Sequence, residues 1–236
     1  MKNIAIFGAG GAIGGALMDE LNQKHPESVI HTFSRTPILS DHPNIHGYSV
    51  DYLSEQSIME CADKIKEPLD LVIIAIGILH DDDLKPEKSI RELSRDNFIK
   101  VYEINAIAPS LIAKHFIPRL NKKSPTIFTA LSARVGSISD NRLGGWYAYR
   151  ASKAALNMII KNLAIETKRT LPHSSVVGLH PGTVESHLSS PFSHHVAKDH
   201  LFSPQRAAQQ LCKVISSIKP DHSGQCIDWE GKMIDP

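Results

Sequence analysis

The chain has 236 residues, of which 42% are hydrophobic and 22% are charged, and its formal net charge is +1. This length permits a single α/β domain, and the hydrophobic fraction is enough to build a sizeable core. Because the charge is balanced and scattered along the chain, it argues against a protein whose main partner is nucleic acid, and we expect a small-molecule substrate.

The cysteines and the first residues indicate the compartment. Cys61, Cys212 and Cys226 lie far apart and outside any C-x-x-C pattern, which disfavours a disulfide framework and a structural zinc site. The first apolar run is too short to span a membrane and leads directly into a glycine cluster, so we expect a folded strand with no cleavable leader before it and no membrane anchor. We therefore expect a cytoplasmic protein.

Short runs rich in Ile and Val alternate with stretches of helical spacing along the whole chain. This alternation predicts a parallel sheet with helices on both faces, in one domain over residues 1–236. The runs at 71–76 and 176–179 are apolar throughout, so we expect both of these strands to be central. The predicted strands are 3–7, 29–33, 45–50, 69–76, 125–131, 175–180 and 225–229, and the predicted helices are 13–24, 54–66, 96–120, 147–169 and 204–218.

A glycine-rich turn follows the first strand. Its glycines allow a tight turn and let a pyrophosphate approach the N-terminus of the next helix, whose free N–H groups favour an anion. A glycine turn can also be only a tight connection, but its place at the first β–α turn favours a dinucleotide site. The residues of this turn are Gly8, Ala9, Gly10, Gly11, Ala12, Ile13 and Gly14.

The end of the second strand bears on the choice of cofactor. An NAD-selective domain usually places an acidic residue there, whereas this chain has Ser34 and Arg35. Arg35 suits a 2′-phosphate, so we expect NADP (NADPH), with NAD as the alternative cofactor if Arg35 is only a solvated surface residue. Asp51, after the third strand, is expected to contact the adenine region or to cap the helix that starts near Ser54.

Tyr149 and Lys153 lie four residues apart in a stretch of helical spacing, so they share one helix face. A fixed ammonium is a direct means of lowering the pKa of a phenol, which at about 10 is otherwise a poor base at neutral pH. Hydride addition to a carbonyl leaves negative charge on the carbonyl oxygen, and we expect a hydroxyl aimed at that oxygen to stabilise the transition state. Ser132 ends the strand before this helix, and Asn105 lies in the helical segment before that strand.

These pieces, in this order and with the ending G-Q-C-I-D-W-E-G-K, resemble the short-chain dehydrogenase/reductase family, in its compact branch of small carbonyl reductases and C-factor-like proteins. The resemblance implies a Rossmann-type doubly wound sheet of about seven strands. It also implies a tetrad in which Tyr149 is the general acid or base, Ser132 polarises the substrate oxygen, Lys153 binds the nicotinamide ribose, and Asn105 holds a water. The further cofactor-binding residues that it implies are Ala75, Gly77, Pro181, Gly182 and Val184.

The chain departs from the family pattern at several positions. Phe7 and Ala12 stand in the glycine turn where the family has Thr and Gly, and Ala75 stands where it has Asn. Ser132 lies farther before Tyr149 than the commonest spacing, which makes Ser137 a rival for the catalytic hydroxyl. Tyr147 has no lysine four residues after it, so we expect a packed or substrate-lining aromatic there.

The segment 182–203 is where the family has a mobile lid, so we expect a substrate lid there. Its histidines, His187, His194, His195 and His200, do not follow H-E-x-x-H, and the adjacent Asp81, Asp82 and Asp83 cannot all face one point, so we expect no metal.

The predicted function is NADP(H)-dependent hydride transfer between a carbonyl and an alcohol. The alternative is a non-catalytic dinucleotide-binding sensor or signalling protein, which would have no need of the tetrad. The resemblance implies a homodimer or homotetramer built on helices 96–120 and 147–169, and apolar positions such as Ile112, Phe116 and Ile160 would support it if they exceed the needs of one core.

Overall fold

The computed structural model describes residues 1–195 and 201–236, with side chains for 1–192 and 201–236. Its elements alternate as the sequence predicts. In chain order they are β1 (Asn3–Phe7), α1 (Ala12–Lys24), β2 (Val29–Ser34), β3 (Ile45–Ser49), α2 (Glu55–Lys64), β4 (Leu71–Ile74), α3 (Arg95–Tyr102), α4 (Ala108–Phe116), β5 (Thr126–Leu131), α5 (Tyr147–Thr170), β6 (Ser174–His180), β7 (Thr183–Val184), β8 (Leu201–Phe202), α6 (Pro204–Ser217), β9 (Cys226–Asp228) and β10 (Met233–Ile234).

The main sheet has eight strands in the order β10-β9-β6-β5-β4-β1-β2-β3. All neighbours are parallel except β9 and β10. The order reverses between β1 and β4, which opens a crevice at the carboxyl ends of the strands, where ligands bind in sheets of this kind. The predicted Rossmann-type fold is confirmed, with β4 and β6 inside the sheet.

Three of the strands were not predicted from the sequence. β7, β8 and β10 have two residues each, so they are too short for a periodic pattern to mark them. β7 and β8 pair with each other in a separate two-stranded sheet, which joins the two sides of the segment 182–203. Within that segment, residues 196–200 lie outside the described residues.

Two apolar layers cover the two faces of the sheet. One contains Phe7, Phe33 and Phe116, and the other contains Leu17, Leu179 and Leu211. The aromatic rings of the first layer pack closely, with Phe7 and Phe33 stacked at 4.5 Å between ring centroids and Phe116 edge-on to Phe7 at 4.7 Å. Dense packing of this kind holds the strand ends at fixed positions around the crevice.

The predicted helix 96–120 is interrupted. Its middle, Glu103–Ile107, forms a π-helical turn between α3 and α4. A π turn inserts one extra residue into a helix and is often found at functional sites. Here it contains Asn105, whose side chain is fully buried and points away from water.

The surface of the helices corrects one expectation about assembly. Ile112, Phe116 and Ile160 are 0%, 0% and 2% exposed, so the core of one chain uses all three. Met158 and Ile165 on α5 are 62% and 48% exposed instead. None of the helices in the described part of the chain is both long and apolar enough to cross a membrane.

Candidate active site

A cavity of about 560 Å³ lies at the carboxyl ends of β1, β4, β5 and β6. Its nucleotide half, as we name it, is lined by Gly11, Ile13, Arg35, Ala75 and Gly77. Its substrate half is lined by Leu79, Val135, Trp146, Tyr149, Leu188 and Phe192. Lys153, Pro181, Gly182 and Val184 also line this cavity, between the two halves.

The glycine turn contains glycines of two kinds. Gly8 has φ of 81°, and a Cβ on Gly14 would lie 2.2 Å from the carbonyl oxygen of Gly8, so the fold itself requires both. A Cβ on Gly10 would meet nothing closer than 3.7 Å, and one on Gly11 nothing closer than 3.3 Å. The chain therefore does not need Gly10 for packing, whereas a side chain on Gly11 would crowd the carbonyl oxygen of Gly8. The absent side chain of Gly10 leaves space for a ligand beside α1.

The N-terminus of α1 faces this space. Gly11 is its N-cap and provides no side-chain cap, and the first turn contains no acidic residue. The N–H groups of this turn and the helix dipole therefore suit the pyrophosphate of a dinucleotide. The residues of the turn fit the predicted cofactor.

Tyr52 braces the glycine turn, a role that sequence reasoning missed. Its hydroxyl accepts a hydrogen bond from the backbone N–H of Gly8 at 2.9 Å and donates to the carbonyl oxygen of Phe33 at 2.8 Å. Burial raises the pKa of this phenol well above its usual value, so it stays neutral. No motif marks such a residue, because the contact joins positions 44 apart in sequence.

The end of β2 places Arg35 in the nucleotide half, with an exposed side chain. Ser34 is buried, and its hydroxyl donates to the carbonyl oxygen of Thr36 at 2.5 Å. Asp51 accepts a hydrogen bond from the N–H of Leu53, while Ser54 caps α2. The expectation that Asp51 caps this helix is therefore wrong, and Asp51 does not line the cavity.

Tyr149 and Lys153 lie one turn apart on α5 and are 9% and 3% exposed. The ammonium of Lys153 is 5.9 Å from the centroid of the Tyr149 ring and donates to the carbonyl oxygen of Leu131 at 2.8 Å. Burial raises the pKa of Tyr149 to about 12 and lowers that of Lys153 to about 8. Burial thus opposes the lowering of the phenol pKa that the sequence led us to expect, and Tyr149 is protonated at neutral pH.

Asn105 links the segment that follows β4 to α5. Its amide accepts from the N–H of Ile78 and donates to the carbonyl oxygen of Ile78, each at 2.8 Å, and also donates to Ser152 Oγ at 3.1 Å. Ser152 Oγ donates to the carbonyl oxygen of Tyr149. Asn105 therefore fixes the segment after β4 against the helix that contains Tyr149.

Ser132 lines the cavity, and its hydroxyl is engaged within the protein. It donates to Asn157 Oδ1 at 2.6 Å and interacts with the thiol of Cys226. Asn157 and Cys226 line a second, smaller cavity of about 320 Å³. The rival Ser137 is also buried, where its hydroxyl accepts from the N–H of Asp140.

His180, at the end of β6, also lines the cavity and was missed from the sequence. Its Nδ1 is buried and has no hydrogen-bond partner among the residues the structure describes. Burial lowers its pKa to about 4, with a smaller contribution from Arg134 in the same direction, so the ring is neutral at physiological pH.

The expectation that the chain binds no metal rested partly on the spacing of the histidines in the segment 182–203. The side chain of His187 stacks on the ring of His80, with centroids 5.1 Å apart. The side chains of His194 and His195, and all of His200, lie outside the described residues. In the part of the chain that is described, no group of three His, Cys, Asp or Glu side chains could hold a metal.

A nucleotide cleft with a buried tyrosine and lysine at its far end defines a dinucleotide-dependent oxidoreductase. The model of the short chain dehydrogenase family matches residues 2–197, so the chain belongs to that family. This confirms the resemblance drawn from the motifs.

Two relatives and one solved structure illustrate the range of this family. An uncharacterised oxidoreductase of Schizosaccharomyces pombe is 26% identical over 251 residues, which cover 98% of both chains. The C-signal of Myxococcus xanthus is 32% identical over 136 residues, covering 57% of this chain and 76% of the relative. The NADPH-bound carbonyl reductase from chicken fatty liver has the same fold, with a TM-score of 0.87 and 22% identity over 100% of this chain and 94% of that one. A nicotinamide dinucleotide and a small-molecule substrate follow from this membership.

Proposed function

We propose that this chain is an NADP(H)-dependent oxidoreductase that interconverts a carbonyl and an alcohol, with Tyr149 as the general acid and base. The observation that carries the proposal is that Tyr149 and Lys153 line the same cavity as the glycine turn and Arg35. A substrate in the substrate half would lie between the phenol and the nucleotide half.

The chemistry divides between cofactor and protein. When bound, the nicotinamide supplies or accepts the hydride. Tyr149 holds a proton at neutral pH, because burial raises its pKa to about 12, and it can donate that proton to a carbonyl oxygen on which negative charge develops. The nearby ammonium of Lys153 stabilises the phenolate that remains.

Two further side chains complete the proposed tetrad. Asn105 holds the segment after β4 and, through Ser152, the backbone of Tyr149, so we infer a positioning role for it. Ser132 is proposed to polarise the substrate oxygen, as the family resemblance implies. Since its proton is donated to Asn157, we infer a smaller contribution from Ser132 than from Tyr149.

Arg35 supports NADPH over NADH. A 2′-phosphate carries nearly two negative charges at neutral pH, and Arg35 lies at the nucleotide half where the adenosine ribose is expected. The carbonyl reductase from chicken fatty liver, which has the same fold, binds NADPH. We propose NADPH as the preferred cofactor and NADH as the weaker one.

The proposal is tested by measuring whether the protein turns over carbonyl compounds with NADPH. We expect the absorbance of NADPH to fall when the protein is mixed with members of a panel of aldehydes and ketones, and to rise when NADP⁺ is mixed with the product alcohols. Tight binding of NADPH without turnover of any member would contradict the proposal.

That outcome would favour the second candidate, a non-catalytic dinucleotide-binding signalling protein. The similarity to the C-signal of Myxococcus xanthus supports this candidate. A buried phenol and ammonium in a substrate-sized cavity support the enzyme instead, because a signalling surface has no need of them.

Two structural expectations belong to the same proposal. The segment 182–203 acts as a substrate lid, consistent with Leu188 and Phe192 in the cavity wall. The chain forms a homodimer or homotetramer through α4 and α5, where Met158 and Ile165 expose apolar surface. Light scattering at micromolar concentration should give a multiple of 26.0 kDa, and a monomer mass would contradict the assembly.

A further inference from the structure

Three consecutive residues immediately before α5 have left-handed backbone conformations. Gly144, Gly145 and Trp146 have φ values of 64°, 65° and 50°, and Trp146 is the single non-glycine residue with positive φ among those the structure describes. This conformation is unfavourable for a bulky side chain and persists only where the surroundings impose it. Contacts from elsewhere in the chain must therefore hold Trp146.

Glu87 and Arg150 make those contacts, Glu87 through both its backbone and its side chain. The carbonyl oxygen of Glu87 accepts from the N–H of Trp146 at 2.5 Å, and its Oε2 accepts from the N–H of Ala148 at 3.2 Å. Arg150 Nε donates to the carbonyl oxygens of Gly144 and Gly145 at 3.2 and 3.1 Å. Glu87 is only 2% exposed, so its carboxyl group is buried at the first turn of α5.

The left-handed backbone conformation of Trp146 places its indole in the substrate half of the cavity. Its ring lies 6.2 Å from that of Tyr149 and 4.9 Å from that of Phe192, edge-on to both. A ring bound beside the phenol would therefore contact the indole. Leu79 and Val135 complete an apolar wall around this space.

The charges around the cavity limit the substrate further. Among the described lining residues there is no carboxylate, and the lysine and arginine are Lys153 and Arg35. Lys153 donates to the carbonyl oxygen of Leu131, and Arg35 belongs to the nucleotide half. The substrate half therefore has no carboxylate for a cationic substrate. The cation at its border is Lys153, which we assign to the phenolate, and its histidines are His180, whose ring is neutral, and His187, which stacks on His80.

We propose that Trp146, held in its left-handed conformation by Glu87 and Arg150, is the specificity-determining residue of the substrate half, and that it selects uncharged carbonyl compounds bearing an aromatic ring. This inference rests on the proposed function. An aromatic ring gains edge-to-face contacts with the indole that a saturated ring of similar size does not make, which corresponds to about a fivefold preference.

The test uses two ketones whose carbonyl groups have the same intrinsic reactivity. We expect kcat/KM for 4-phenyl-2-butanone to exceed that for 4-cyclohexyl-2-butanone by about fivefold. In Trp146→Leu the ratio should fall to about one, whatever the absolute value for each ketone, and in Trp146→Phe the preference should persist. An unchanged ratio in Trp146→Leu, or a wild-type preference for the saturated ring, would overturn the proposal.

Binding provides a readout that does not depend on turnover. The sequence has two tryptophans, and Trp229 packs on Phe202 at 4.7 Å, outside the residues that line this cavity. In Trp229→Phe, saturable quenching of the remaining indole by 4-phenyl-2-butanone in the presence of NADP⁺ is expected, and Trp146→Phe should show none. Quenching without any turnover would sink the proposed function and keep the binding site, whereas turnover of other carbonyls without quenching would overturn the site alone.

Glu87 is tested as a positioning residue. Glu87→Ala should lower the preference for the phenyl ketone, and adding it to Trp146→Leu should change the ratio no further, because both substitutions act through one indole. Glu87→Gln retains an acceptor for the N–H of Ala148 and should recover most of the preference. If Glu87→Ala lowered kcat/KM equally for both ketones, its role would be structural only.

Discussion

The two halves of the cavity are built in different ways. The nucleotide half depends on backbone: a glycine turn, a helix N-terminus and one arginine, most of which lie within a short stretch of sequence. The substrate half is made by side chains from distant segments, among them Leu79, Trp146 and Phe192. A nucleotide site of this type is thus readable as a local pattern, whereas the shape of a substrate site emerges only when the chain is folded.

The largest effect confined to the substrate half is expected from substituting Tyr149. Tyr149→Phe should lower kcat by about 10²- to 10⁴-fold, because it removes the proton donor and leaves the nucleotide half untouched. NADPH affinity should stay within twofold of the wild-type value. Fluorescence titration and steady-state kinetics measure the two effects.

Tyr147→Phe is the matched control, since Tyr147 begins the same helix but is 37% exposed and lies outside the cavity wall. It should retain most activity. Equal loss in the two variants would mean that the phenol has no special role in the substrate half.

The pH dependence of kcat/KM tests Lys153, which lies between the two halves of the cavity. Burial lowers the pKa of Lys153 to about 8, so its ammonium is present below that pH and lost above it. Since Tyr149 remains protonated up to about pH 12, kcat/KM for carbonyl reduction should fall as pH rises through about 8. In Lys153→Arg the guanidinium stays charged, and any remaining activity should show no loss near pH 8. A wild-type profile that is flat from pH 6 to 10 would contradict this role.

Arg35 tests the nucleotide half alone. Arg35→Ala should raise the Kd for NADPH by about tenfold while leaving that for NADH nearly unchanged, because only NADPH has a 2′-phosphate. The difference should shrink as salt rises, since Arg35 is exposed. Arg142→Ala, at an exposed position outside the cavity wall, is the control. A parallel loss for both cofactors would make Arg35 a general surface residue.

The smallest effect is expected at Ser132. Its hydroxyl proton is donated to Asn157, so Ser132→Ala should lower kcat/KM by less than tenfold and the free energy of unfolding by about 1 kcal/mol. Activity and thermal unfolding are measured on the same preparation. A loss as large as that of Tyr149→Phe would show that this hydroxyl turns toward the substrate during the reaction.

The fold was predictable because its signals are local. Apolar runs marked the seven longest strands, and the glycine turn with Tyr149 and Lys153 marked the family. The two-residue strands were not predictable, because a run of two residues shows no periodic pattern. The π turn at Asn105 was also missed, since the backbone stays helical through Glu103–Ile107 and no residue type marks the change in hydrogen bonding.

The site was predictable only in part. The sequence indicated which residues belong to it but not which way they face, and the serine shows this clearly: Ser132 lies where the pattern predicts, yet its hydroxyl bonds to Asn157. Glu87 and Tyr52 could not be found, because each acts through a contact more than forty positions away along the chain. Burial, which sets the pKa of Tyr149 and Lys153, likewise depends on the whole fold.

The hydrogen bonds of Tyr52 have a consequence for the thermodynamics of cofactor binding. The N–H of Gly8 bonds directly to the carbonyl oxygen of Phe33, and the Tyr52 hydroxyl bonds to both groups, so the glycine turn is fastened to β2 in two ways. The conformational entropy of ordering that turn is thus lost during folding and need not be lost again when a dinucleotide arrives. Removing the hydroxyl would transfer part of that entropic cost to the binding step. Calorimetry on Tyr52→Phe should therefore give a less favourable entropy of cofactor binding, with the same set of ligand contacts.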